Sequence, residues 1–144
     1  MNKILGFIAI IGLAACSGTE TKKVAEDTLL KLNMDSVPKT TVLIIDTAIN
    51  FGTVKEGVKV NSEFRFVNTG KNPLIVQQAM ASCGCTVAEK PTTPIMPGDT
   101  GKIKTTFNSE HRGGETVYKT IRVVSNADTL FKPLILRGKV EKSN

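Results

Sequence analysis

From residue 41 onward, apolar and polar positions alternate with a period of two, the signature of strands that bury one face. Leu43, Ile45, Ile49 and Phe51 fall on odd positions, with Asp46 and Asn50 between them, and Gly52 and Gly57 bracket a turn. Val58, Val60, Phe64 and Phe66 then take even positions, while Lys59, Asn61, Glu63 and Arg65 fill the odd ones. This second run is the sharpest strand in the chain, because one face is apolar and the other mostly charged. Asn68-Thr69-Gly70-Lys71-Asn72-Pro73 is a turn by its residue types.

Leu74-Ile75-Val76 opens a third strand that runs toward Ser82, and a short fourth lies around Thr86-Val87. The stretch holding Pro91, Pro94 and Pro97-Gly98 interrupts the pattern before a fifth strand marked by Ile103, Thr105 and Phe107. After the loop His111-Arg112-Gly113-Gly114 comes a sixth strand over 117–124. Asn126-Ala127-Asp128 turns into the last, where Leu130, Leu134, Leu136 and Val140 share one face. Pro133 inside that run removes a ladder donor, which assigns the strand to an edge or a bulge. About seven short strands, with turn signals roughly every 8–12 residues and no long helical period, predict an all-β sandwich. An up-and-down barrel is the alternative. Irregular loop lengths and the Pro-rich connection over 89–99 favour the sandwich.

The N-terminal third follows different rules. Lys3 precedes an apolar run from Ile4 to Gly12, which closes on Leu13-Ala14-Ala15-Cys16. A basic start, a short apolar core and small residues at the cut describe a secretory signal peptide over 1–15. The junction resembles the lipobox of bacterial lipoproteins, in which the Cys is lipidated and becomes the mature N-terminus. The resemblance implies that Cys16 carries the lipid, a palmitate-type acyl anchor among its chains. The leader is too short to span a bilayer, which takes about 20 apolar residues. Residues 16–40 are polar and rich in Thr, Lys, Asp and Glu, and are expected to form a tether. Within them, the stretch 24–32 carries helix pattern too short to stand alone. The domain is expected over 41–141.

With six Phe, one Tyr and no Trp, the core falls to Val, Ile, Leu and Thr, which suit a pleated surface. The formal charge is +6, and removing the leader with Lys3 leaves about +5. Export argues against a nucleic-acid partner. The lysines are spaced singly, as in Lys102-Ile103-Lys104, and describe a solvated basic face.

At Ser82-Cys83-Gly84-Cys85-Thr86 the chain resembles the bacterial family known as the domain of unknown function 1573. Further matches follow the family's order: Phe51-Gly52, Phe64, Val67-Asn68-Thr69-Gly70, Pro97-Gly98, Ile121, Ser125-Asn126, Leu134, Leu136 and Gly138. The resemblance implies an immunoglobulin-like sandwich akin to the Hydin and major sperm protein group, a fold common among envelope lipoproteins of Bacteroidetes-like bacteria. It implies no activity, and the fold alone supplies none.

If Cys16 is lipidated, two cysteines remain, Cys83 and Cys85. On an extended strand their Cα atoms would lie about 6.6 Å apart, near the upper limit for a disulfide. Gly84 can shorten the gap, although a bridge made on an extended strand would be strained and easily reduced. Three readings stay open. The pair pins the turn between the third and fourth strands, or binds Cu(I) with a thioether from Met80 or Met96, or exchanges thiol and disulfide. The copper reading has a resemblance of its own, confined to the pair and the fold class, to the copper chaperones of cytochrome oxidase assembly. Zinc needs four ligands, and two Cys with one His fall short.

Other chemistry finds little support. His111 is expected to be a solvated loop residue. Nucleophile-elbow, P-loop and dinucleotide motifs are missing from the sequence. Glu56, Glu63, Asp99 and Glu115 fall in turns or on exposed strand faces. Asp99-Thr100-Gly101 matches the aspartic-protease triplet, but such an enzyme needs a second Asp to share a proton. The expectation is a non-catalytic binding or structural module with no cofactor. It is held at the cell envelope by Cys16 and meets a protein partner through exposed sheet edges. Ser17, rather than Asp, follows Cys16, which by the resemblance to sorted Gram-negative lipoproteins implies the outer membrane. The alternative is a Cu(I)-binding or thiol-redox accessory protein acting through Cys83 and Cys85.

Overall fold

The computed structural model describes residues 36–143. Cys16, the leader and the polar run as far as residue 35 lie outside the described residues. Eight strands follow: β1 (Val42–Ile44), β2 (Ala48–Lys55), β3 (Lys59–Asn68), β4 (Val76–Ala81), β5 (Thr86–Glu89), β6 (Thr100–Asn108), β7 (Thr116–Ser125) and β8 (Leu134–Glu141). They build two four-stranded sheets, ordered β1-β3-β6-β5 and β2-β8-β7-β4. Neighbours run antiparallel except β2, which lies parallel to β8.

The first expected strand is really two, one in each sheet. Asp46 causes the break. Its carboxylate accepts bonds from the Arg65 backbone N–H at 3.0 Å and from the Arg65 guanidinium at 2.8 Å and 3.2 Å. The N–H groups of Ile45 and Asp46 both donate to the Arg65 carbonyl. With the chain pinned there, it crosses to the other sheet and the inward parity resets. Val42 and Ile44 therefore face the core while Leu43 and Ile45 are exposed, opposite to the odd-position expectation. Beyond the crossing, Ile49 and Phe51 point inward as expected.

The last strand also differs. Pro133 precedes β8 rather than interrupting it, and β8 lies inside its sheet between β2 and β7. Leu130 is exposed, and Phe131 takes the buried place, edge-on to Phe66 with ring centroids 5.4 Å apart.

The core lies between the sheets. Phe64, Phe66, Ile103 and Phe107 come from one side, and Val117, Ile121, Leu134, Leu136 and Val140 from the other. Each such side chain contributes about 1.5–3 kcal/mol of transfer free energy when fully buried. Phe51 stacks on Phe107 with centroids 5.7 Å apart. Gly138 makes room for that stack, since a side chain there would meet the Phe51 ring.

One end of the sandwich is closed by polar groups instead. Asn68 is fully buried, and its Nδ2 donates to the carbonyls of Asn72 and Ile95, both at 2.8 Å. Its Oδ1 accepts from Thr40 Oγ1 at 2.8 Å and from the Gly70 N–H at 3.1 Å. Asn126, also fully buried, accepts from the Ile75 N–H at 2.7 Å and donates to the carbonyls of Pro38 and Pro73. Residues 38–40, the last of the expected tether, are thereby held to the sandwich. Asn68, expected in an exposed turn, instead continues the inward parity of β3 and bonds every turn around it.

Candidate functional site

β4 ends early, and the cysteine pair marks where. Beyond Ala81, the Ser82 N–H donates to the Thr120 carbonyl at 2.9 Å, and the Thr120 N–H donates to Ser82 Oγ at 3.1 Å. The chain then leaves this sheet, turns through residues 83–85 and starts β5 in the other. Cys83 and Cys85 are joined by a disulfide, with Cα atoms 5.3 Å apart. The backbone here is a turn rather than an extended strand, so the 6.6 Å spacing behind the expectation of strain does not arise. Both sulfurs lie 3.8 Å from Thr86 Oγ1. The Asn108 N–H donates to the Cys85 carbonyl at 2.9 Å, tying the turn to the end of β6.

This geometry separates the candidate copper ligands. Bridged sulfurs present no thiolate. Met80 points outward from β4, half-exposed and opposite Arg122. Met96 sits at the far end of the sandwich, where its carbonyl accepts from Asp99 and the neighbouring Gly98 N–H donates to Asn68. Cys85 is bonded to Asn108, which pairs with Lys59, and β3 separates Lys59 from Asn68 by about 30 Å. Met96 does not approach the pair.

His111 has a positive φ of 58°, and its side chain is 92% exposed. The described residues contain no cluster of three or more His, Cys, Asp or Glu positioned to hold a metal ion. Of the four carboxylates singled out in the sequence, Glu63 and Glu115 pair with cations, and Glu56 and Asp99 do not among the described residues. Glu63 accepts from Lys102 at 2.7 Å, and Glu115 accepts from Lys119 at 2.8 Å and Arg112 at 2.9 Å. The Lys119 bond first, then the Arg112 bond, holds Glu115 below the usual carboxylate range. The Lys102 bond does the same for Glu63, and the Arg65 bonds for Asp46. Asp99 lies in the turn before β6, where its carbonyl accepts from the Asn68 N–H.

The two outer faces differ in a way the sequence pattern does not reveal. On the β1-β3-β6-β5 sheet Arg65 pairs with Asp46 and Lys102 with Glu63, Lys104 stands opposite Glu63 and Glu89 without a bond to either, and Lys59 stands opposite Asn108. On the β2-β8-β7-β4 sheet, Arg122, Arg137, Lys139 and Lys55 project outward with only Glu141 among them. None of those four cations has a hydrogen-bonding or ion-pair partner among the described residues.

Two rows of side chains cross this second face. Asn50, Arg137 and Tyr118 form one, and Thr53, Lys139 and Thr116 the next. A shallow groove of about 430 Å³ lies between them, over the backbone of Val117 and Gly138. The bulge at Gly52, with φ of 76°, carries β2 past the groove's inner end.

The groove meets an open strand edge. In an antiparallel ladder, a residue's N–H and C=O point to the same side, and the side alternates along the strand. Glu115 faces β8, because its carbonyl accepts from the Val140 N–H. Thr120 faces β4, through its two bonds to Ser82. Thr116 and Tyr118 therefore face the β4 side, where the ladder runs only from Val76 to Ala81. Their N–H and C=O groups have no partner among the described residues. Alternation alone places Tyr118, Arg122, Arg137 and Lys139 on polar positions. It cannot say that β8 lies beside β7 or that β4 stops short.

A family model described as protein of unknown function (DUF1573) matches residues 42–140. Among solved structures, a protein of unknown function from Porphyromonas gingivalis W83 aligns with TM-score 0.60 at 16% identity. The alignment covers 76% of this chain and 51% of that one, so this chain spans about half its length. The ASH/PapD-like domain 7 of human CEP192 aligns with TM-score 0.51 at 13% identity, over 94% of this chain and 100% of that domain. At such identities the likeness shows the fold alone. The secreted serine protease VesC of Vibrio cholerae aligns at TM-score 0.48 and 13% identity, over 70% of this chain and 23% of its own, and carries no argument. The comparison with curated proteins found no match.

Proposed function

From a chain that belongs to the DUF1573 family and folds as an immunoglobulin-like sandwich, we propose a non-catalytic binding module, tethered to the cell envelope through lipid on Cys16. One observation carries the binding role: the outer face of the β2-β8-β7-β4 sheet keeps its cations unpaired around an exposed Tyr118. The opposite sheet ion-pairs two of its four strand cations, Arg65 and Lys102, and sets a third, Lys104, opposite two glutamates. An unpaired set of like charges beside an aromatic ring is what a complementary partner surface recognises.

Photocrosslinking in intact cells tests this. A crosslinking residue replacing Tyr118 should give a discrete protein adduct, whereas one replacing Thr106 on the opposite face should not. Equal adducts from both faces, or none from either, would remove the binding role. The anchor is tested separately. The protein should stay with membranes through a carbonate wash, and Cys16→Ala should release it. A Cys16→Ala chain that still sediments would overturn the tether.

The alternative, Cu(I) binding or thiol exchange, needs Cys83 and Cys85 as free thiols, whereas their sulfurs are bonded to each other. Titrating the reduced protein with Cu(I) against a competing chelator distinguishes the two. Tight one-to-one binding that is lost in Cys83→Ser, Cys85→Ser would favour copper.

A further inference from the structure

We propose that the partner joins this face as an added β-strand: an extended, acidic segment of another protein that pairs with β7 at Thr116 and Tyr118 in the place β4 vacates. The inference rests on the binding role above and specifies its mode. Three independent features converge on one place.

The first is the backbone. Thr116 and Tyr118 together offer two donors and two acceptors, spaced as a ladder and facing the same open side. Such a row is a template for another chain, and sheets usually protect it. Elsewhere along this edge β4 covers β7, from Ile121 to Ser125. The Cys83–Cys85 turn diverts the chain to β5 just where cover would otherwise continue.

The second is the groove. Its outer end lies between Thr116 and Tyr118, on that same edge. In a sheet, side chains directly opposite on neighbouring strands project to the same face. An incoming residue paired opposite Thr116 or Tyr118 therefore sets its side chain at the groove's mouth.

The third is charge. Arg137 and Lys139 stand on opposite walls of the groove, both unpaired. A carboxylate entering between them would gain charge-assisted bonds, and arginine suits a carboxylate best through its two-pronged fork. A basic segment would meet like charges and be rejected. Main-chain pairing thus supplies attachment, and the groove supplies the preference for acid.

The experiment uses the full-length chain and four synthetic eight-residue peptides, compared by isothermal titration at low salt. One alternates Glu with Val, the second replaces Glu by Lys, and the third and fourth are the Glu-Val peptide N-methylated at every second amide in each of the two phases. The Glu-Val peptide is expected to bind and to weaken as salt is added. Arg137→Ala and Lys139→Ala should each weaken it about tenfold while leaving the melting temperature unchanged, since both side chains are exposed. One phase of N-methylation should abolish binding and the other should spare it. No binding by the Glu-Val peptide, equal binding by the Lys peptide, or indifference to both methylation phases would overturn the proposal. Such a failure beside a surviving Tyr118 crosslink would discard strand addition and keep the binding role. Loss of the crosslink as well would discard both.

Discussion

The hydroxyl of Thr40 donates to the side-chain oxygen of Asn68 at 2.8 Å, joining the segment that enters the sandwich to the last residue of β3. Both residues are buried, and Asn68 bonds to the turn at 70–72 and to Ile95 as well. A buried amide with four satisfied bonds fixes the loops around it, because any alternative arrangement strands a polar group away from water.

Replacing Asn68 by Ala should therefore cost about 3 kcal/mol or more, since it orphans several groups at once. Asn68→Asp keeps the shape and the acceptor but loses both donors, and places a carboxylate against two carbonyls. It should be comparably damaging at neutral pH. The urea midpoint followed by circular dichroism measures both. An Asn68→Asp protein as stable as the parent would show that packing, not hydrogen bonding, holds this end.

Gly138→Ala tests the core. The added methyl points at the Phe51 ring, which is already stacked on Phe107. Overpacking of this kind costs about 1–3 kcal/mol. The companion change Phe51→Leu, which removes the ring, should recover part of the loss in a double-mutant cycle. Additive effects would mean that the two residues do not press on each other.

The disulfide closes a very short loop, so it constrains the unfolded chain little. Cys83→Ser, Cys85→Ser is expected to remain folded and to lose about 1–2 kcal/mol, well below the effect of a long-range bridge. Failure of the variant to fold, judged by amide exchange, would assign the pair a larger structural share than loop closure provides.

Acid should weaken the fold through three carboxylates, Glu63 exposed and Asp46 and Glu115 half-buried. Asp46, Glu63 and Glu115 are each more acidic in the folded chain than the ordinary value, through bonds to Arg65, to Lys102, and to Lys119 then Arg112. Their stabilising contribution is complete above the ordinary carboxylate range, about pH 4, and drains away as pH falls through the lowered folded values. The melting temperature should stay flat from about pH 8 to pH 5 on their account and decline below about pH 4. Because the Asp46 and Glu63 pairs lie at the surface and the Glu115 pairs are only part-buried, the decline should be modest, and Glu115→Gln should make it shallower. An unchanged acid slope in Glu115→Gln would exclude that pair as a contributor.

Much of this was legible along the chain, and the misses have physical causes. The alternation of Val60, Phe64 and Phe66 placed β3 correctly, because the inward face of that strand is partly buried at Val60 and fully buried from Phe64. Val58, assigned to the same face, is exposed just before the strand begins. The same rule misassigned Leu43 and Ile45, because Asp46 breaks the run and each half obeys its own parity. Pro133 was credited to a strand that begins just after it. Asn68 and Asn126 read as turn residues, since nothing local distinguishes a solvated amide from one that is buried and fully bonded. The groove was invisible, as its walls come from β2, β7 and β8.

Alternation and turn chemistry by themselves determined an all-β sandwich, most of its strands, and the isolation of Cys83 and Cys85 as a close pair. Those are properties of neighbours in sequence, and local sterics and burial suffice to specify them. Only the tertiary structure decided that β8 lies between β2 and β7, that β4 stops at Ala81, and that Tyr118 consequently borders an unpaired edge. Which strands become neighbours depends on how two faces close over one core, a condition that the whole chain must satisfy at once.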